Sequence, residues 1–262
     1  PIVGTMFILI NFENSPLYVI FIQAISIILI IFSFTFKTKK FHKSYTSEHI
    51  VRRVDLFEEF KLLKVIFPRV IPLFISSLII IAIDAAFWTM GGLMGEELFG
   101  SEDNLQWLVL IAFIIPNILG SILLSRIRIL SNKKKLTHYF LILSGISLFS
   151  INLVPDNLYI LLVIALNGFF LAFAATFNDA VISDLLRRLG KHDIHLIALT
   201  RIASSLGYII IPITAGALSD MVGFLNSFSS IGLLVIISSI ILFLVTPKKL
   251  KIPHSQLDQI EI

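Results

Sequence analysis

A chain of 262 residues with 56% apolar residues and a mean hydropathy of +0.94 carries more apolar surface than a soluble fold of this length can hide. Zero cysteines exclude disulfides and thiolate metal sites. A net charge of +4 would suggest a nucleic-acid partner in a soluble protein, but here the basic residues flank apolar runs, so the expected partners are membrane lipid and a solute, and no nucleic acid.

Pro1 to Ile10 is too short to span a bilayer and reads as the end of a helix, which makes a truncated segment a better account of the start than a signal peptide. After a polar turn over 11–16, Leu17 to Phe36 is the first complete span, closed by Lys37, Lys39, Lys40 and Lys43. Residues 37–68 form the long polar connection. Within it, Ile50, Val51, Val54, Phe57, Leu62 and Val65 recur among charges over 47–67, which fits an interfacial amphipathic helix or a solvated linker helix.

Further spans are expected over 70–94, 105–125, 136–153, 158–182, 196–218 and 224–245, with a polar tail over 247–262. Seven alternating spans place all 21 Lys and Arg on one side or at its edge, and the connections 11–16, 95–104, 154–157 and 219–223 contain none. That is the positive-inside pattern, so the linker and C-terminus are expected in the cytoplasm, in a prokaryotic plasma membrane.

The stretch Ser204 to Phe224 reads as a span that must bend, with Gly207, Pro212 and Gly216 as hinge positions and an Asp220-containing turn at its end. Sliding the end of the chain over its start puts Pro1 on Pro212, Gly4 on Ala215, Thr35 on Thr246 and Lys37 on Lys248, an overlay expected of an internal repeat, with roughly 140 residues upstream of Pro1.

Asp84 is the acidic side chain farthest from both ends of any span. An ionised carboxylate at mid-bilayer costs at least ~2.5–3.5 kcal/mol, so it must face a watery cavity, find a partner or stay protonated. Helical spacing puts Ser77, Asp84, Trp88, Gly91 and Gly95 on one face. Two readings fit Asp84: a proton-coupling carboxylate, or a hydrogen-bonded lock between helices. Thr89, Asn117 beside Pro116 and Asn167 beside Gly168 are further cavity candidates with Ser77 and Trp88, each equally able to satisfy backbone groups freed by proline or glycine. Asn178, Asp179 and Arg201 are candidates for a gate, with an Asp179–Arg201 pair or a static surface pair as the alternatives.

The 23 phenylalanines fit an aromatic-lined route, or more cheaply a lipid-facing surface. His192, Asp193 and His195 lack a third metal ligand nearby, and all six histidines read as loop or tail residues, so no metal site is expected. With no phosphate loop, no nucleophile beside a base and no paired carboxylates, neither an enzyme nor a cofactor is expected.

Several residues resemble the major facilitator superfamily: Gly168, Ser183-Asp184-Leu185 and Arg187-Arg188-Leu189-Gly190; Gly207, Pro212, Ala215-Gly216, Asp220 and Gly223; and Gly120 with the basic residues after it. The last resembles a degenerate Gly-x-x-x-Asp-Arg-x-Gly-Arg-Arg signature, with Ser125 in place of the acidic residue. The resemblance implies an all-α polytopic fold of two helical bundles and a secondary transporter working by alternating access. Residues 1–36 would close the first bundle, 37–68 would be the central loop, 69–246 the second six-helix bundle and 247–262 the tail. Pro1-x-x-Gly4 and Pro212-x-x-Ala215-Gly216 are similar to a motif of drug/proton antiporters, which implies efflux coupled to protons. A facilitator or symporter of the same fold, and a membrane sensor or scaffold, are the alternatives.

Overall fold

The computed structural model describes residues 56–100, 105–126, 132–189 and 193–246. The readings of 1–55, including the first bundle segment and the Pro1 side of the overlay, lie outside them, as do Glu102, Asp103, Arg128, Gly190 to His192 and the tail.

The described chain forms six long helices: α1 (Leu56–Phe99), α2 (Trp107–Ser125), α3 (Lys133–Ser150), α4 (Asn157–Leu189), α5 (Asp193–Val222) and α6 (Phe224–Val245), with a single 3-10 turn at Ile151–Leu153. All six contain stretches long and apolar enough to cross a membrane. In hydrocarbon no water is available to the backbone, so a helix, which pairs its own N–H and C=O groups, is the economical way across.

The expected spans agree with these helices, and α6 has the boundaries read from the sequence. Three expectations are corrected. The linker helix and the second span are one 44-residue element, α1, running through Pro68 and Pro72 without a break in the helix. The turn expected over 219–223 shrinks to Gly223 alone, because residues 219–222 belong to α5. Lys133 to Lys135, expected in a loop, form the first turn of α3.

In lipid, tails compete equally for apolar side chains, so close backbone approach and interhelical hydrogen bonds decide which helices pack. Helix α4 packs along α2 and α3, α3 also along α6, and α1 along α5. Glycine opens three of these four seams, all but that between α3 and α4. A Cβ on Gly232 would lie 2.8 Å from the Gly145 carbonyl oxygen, and one on Gly145 would lie 3.0 Å from that of Gly232, so α3 and α6 touch backbone to backbone. Beside them the Ser229 hydroxyl donates to the Phe149 carbonyl at 2.6 Å. On the α2–α4 seam, Gly120 faces Ala172 and Phe169, and Gly168 faces the Phe113 backbone.

The core is aromatic. Phe87 of α1 stacks on Phe113 of α2 at 4.1 Å between centroids and meets Phe228 of α6 at 4.7 Å, and all three are fully buried. These phenylalanines serve neither of the roles expected of them, since they join three helices inside the bundle. His138 is likewise corrected. It lies in α3, buried, with Nε2 3.1 Å from the Thr246 hydroxyl at the end of α6.

The two ends of the bundle are tied differently. At the basic end, Lys133 donates to Asp184 at 2.6 Å and Arg187 donates to the other carboxylate oxygen at 2.5 Å. Three lysines at a helix N-terminus oppose the helix dipole, and Asp184 on α4 offsets the unfavourable charge. At the opposite end the Glu97 carboxylate of α1 accepts the Phe224 backbone N–H at 2.9 Å, capping α6, and Asn157 donates to the Leu98 carbonyl at 2.6 Å. Gly223, the single residue between α5 and α6, has φ 86° and ψ 163°, a region essentially reserved for glycine.

Candidate functional site

Asp84 lies halfway along the Val70–Phe99 span, about 20 Å from either end at ~1.5 Å per residue. Its helical neighbours Ile83, Ala85, Ala86 and Phe87 are all fully buried in the core. Asp84 turns away from that core and is half-buried at the seam with α5.

That seam is set by Gly207. A Cβ there would sit 2.6 Å from Cγ2 of Ile81, so the α5 backbone rides directly against the α1 side chain. The next residue, Tyr208, then reaches across with its phenol donating to the Asp84 carboxylate. The Trp88 indole N–H, one turn further along α1, approaches the same carboxylate. Trp88 is half-buried and Tyr208 is 45% exposed, so both rings border open space.

Tyr208 is the residue of this candidate site that the sequence reading missed. Its signal was a phenol in an apolar span directly after a glycine, but pairing it with Asp84 requires the register of two helices 124 residues apart.

The remaining candidates separate into three groups. Ser77 is buried against α4, where Asn178 Nδ2 donates to its hydroxyl at 2.8 Å. Asn178 is 2% exposed and its Oδ1 has no partner. Asn167, fully buried, donates to the carbonyl and hydroxyl of Ser144 on α3, both at 2.8 Å, and its Oδ1 also lacks a partner. Thr89 is exposed and closes its hydroxyl onto the Ala85 carbonyl of its own helix at 2.7 Å. Gly91 and Gly95, read on the Asp84 face, meet Leu110 and the Gln106 backbone at the start of α2. Asn117 is half-buried on α2 and its side chain makes no hydrogen bond among the described residues.

Asp179 and Arg201 are both exposed and do not pair with each other; the ion pairs among the described residues are Lys133–Asp184 and Arg187–Asp184. Of the three hinge positions, Gly207 is a buried contact, Pro212 lies within an unbroken α5, and Gly216 has open space around it. Behind α5, an apolar cavity of about 230 Å³ separates it from α6 and α1, lined among others by Leu78, Ala82, Ile211, Ala215 and Val235.

Chemically, the arrangement is one carboxylate at mid-span, held by the Tyr208 phenol across the seam and open on one side. Such a group can take up and release a proton or bind a positive charge. The family model described as Major Facilitator Superfamily matches residues 73–260. No curated protein and no solved structure matches the chain.

Proposed function

We propose, for a chain that belongs to the Major Facilitator Superfamily and is therefore an integral membrane transporter, that it moves a small solute by alternating access, driven by protons exchanged at Asp84. The observation that carries this reading is the Asp84–Tyr208 contact: a carboxylate at mid-span, partnered across a helix seam and open on one side. A carboxylate serving only to lock two helices has no need of an open side.

In this reading the six described helices are one bundle, and residues 1–36 belong to the other. The basic end faces the cytoplasm of a prokaryotic cell. The two bundles rock about a site at the midplane. Helix α5 lies against α1, with a cavity between it and α6, which supports its role as the moving element. Pro212 and Gly216 supply its compliance and Gly207 its bearing surface. Asp179 and Arg201, which form no ion pair among the described residues, would close on each other in the opposite conformation. The resemblance of the Pro212 segment to drug/proton antiporters favours outward transport in exchange for protons.

The test is flux of a solute panel in proteoliposomes under an imposed pH gradient, using the full-length protein. Asp84→Asn should abolish the pH-driven component. Unchanged flux would make Asp84 structural, and solute flux without proton movement would identify a facilitator.

A further inference from the structure

We infer that the cavity between α1, α5 and α6 is a binding site for one acyl chain of a bilayer lipid, seated lengthwise beside α5, whether or not protons are exchanged at Asp84. Depth is the first ground. Ile231 and Ser238, at the two ends of the α6 wall, each lie about 10 Å from an end of that helix. Headgroups lie outside the ~30 Å hydrocarbon core, so the molecules present at this depth are acyl chains and apolar solutes. On α5 the lining runs from Ile211 to Leu218, again about 10 Å along the axis. The cavity is thus a slot parallel to the helices, the direction in which acyl chains run. Ile79, Ala82, Ala215 and Val235 form its buried floor, while Thr214 and Leu234 at the rim are exposed. Beside them in sequence, Ile213 and Leu233 are also exposed, so the rim gives onto apolar surface of the kind that faces lipid. Ala82 and Asp84 point about 200° apart around α1, which turns the slot away from the carboxylate.

The chemistry of the lining is the second ground. Among the described residues no charged side chain lines the slot, and its polar members are Thr214 and Ser238. The Thr214 hydroxyl donates to the Ile210 carbonyl of its own helix at 3.0 Å. A water in a cavity needs about two to four polar partners, more than the Ser238 side chain can offer. Apolar cavities of roughly 150 Å³ stay dry and take up benzene or xenon. This one, at about 230 Å³, has room for a larger apolar occupant. Left empty, it would deprive its lining of the dispersion contacts that an occupant restores. An acyl chain brings no polar group to this depth and lies parallel to the slot. It packs α5 against α1 and α6 in the space their side chains leave.

The closing experiment asks whether a lipid chain reaches side chains that lipid around the bundle cannot touch. Full-length protein is placed in phosphatidylcholine nanodiscs containing a minor fraction of phosphatidylcholine with a diazirine at mid-chain, irradiated, digested and mapped by mass spectrometry. Exposed Leu119 reports lipid around the bundle, and Ala172, fully buried on the α2–α4 seam, reports background. The expected result is labelling of Ala82, Ala215 and Val235 at least about tenfold above Ala172, whose close-packed surroundings admit no chain. Ala215→Leu fills the slot and should lower labelling of Ala82 and Val235 by about tenfold, with Leu119 unchanged. If that variant fails to fold, the comparison within the parent protein decides alone. Floor labelling no higher than at Ala172 would overturn the inference, whether the slot is empty or filled by another part of the protein. Floor labelling that survives Ala215→Leu in folded protein would overturn it too. Adducts from a diazirine-bearing n-alkane, with none from the lipid, would assign the slot to a free apolar solute and sink the acyl chain.

Discussion

Tyr208 on α5 and Asp84 on α1 share a hydrogen bond across a seam where Gly207 brings the α5 backbone onto Ile81. It joins the side chains of α5 and α1 directly. Removing the phenol oxygen while keeping the ring isolates its contribution. A hydrogen bond to a charged group is worth about 1.5–3 kcal/mol, so Tyr208→Phe should lower the unfolding midpoint in detergent by several degrees. It should also reduce pH-driven flux. A Tyr208→Phe protein as stable as the parent would show that α5 is held by packing alone.

The Gly207–Ile81 contact gives a prediction about packing. Gly207→Ala pushes a Cβ to 2.6 Å from Cγ2 of Ile81, and overpacking of this kind costs about 1–3 kcal/mol. Adding Ile81→Ala should recover much of that loss. A double-mutant cycle on thermal unfolding measures the coupling, which should exceed about 0.5 kcal/mol in magnitude.

Glycine substitutions should differ sharply by position. Gly232→Ala places a methyl 2.8 Å from the Gly145 carbonyl oxygen, and neither helix backbone can yield without opening the α3–α6 seam. Folded protein should be largely lost, as read by the monodisperse fraction after size exclusion. Gly216→Ala meets nothing within 4 Å and should stabilise α5 by about 0.5–1 kcal/mol through reduced backbone freedom. If Gly216 supplies compliance, the same variant should slow flux.

The two ion pairs of Asp184 should prove unequal. Lys133 is 20% exposed and Arg187 is 78% exposed, so solvent screens the second pair far more than the first. Arg187→Ala should change stability by no more than about 0.5 kcal/mol, and Lys133→Ala by more. Raising the salt concentration should weaken the Arg187 contribution first.

Much of this architecture was legible in the sequence because membranes impose simple rules. The six described spans follow from apolar length, and α6 is bounded correctly because Gly223 and Pro247 bracket an uninterrupted apolar run. Pairwise relationships were hidden. Asn167 and Asn178 announced themselves as polar residues in a span, yet their partners Ser144 and Ser77 depend on which helices pack. Continuity at Pro68 was misread because proline ends helices in water more readily than in a membrane protein, where neighbouring groups satisfy the freed carbonyl. His138 was read as a loop residue although it falls inside the span expected over 136–153; its burial depends on the approach of the end of α6, which the sequence of α3 does not show.

The single-residue joint at Gly223 constrains how α5 can move. With ~3.8 Å between successive Cα atoms, the facing ends of α5 and α6 stay within about 7 Å of each other. Helix α5 therefore behaves as a lever arm about 45 Å long, hung from that end. Tyr208 rides about 20 Å down the arm, so a swing of roughly 10° displaces it by roughly 4 Å, enough to part it from Asp84. The same swing carries the Asp193 end through roughly twice that distance, so a small event at the carboxylate is magnified at the basic face of the bundle.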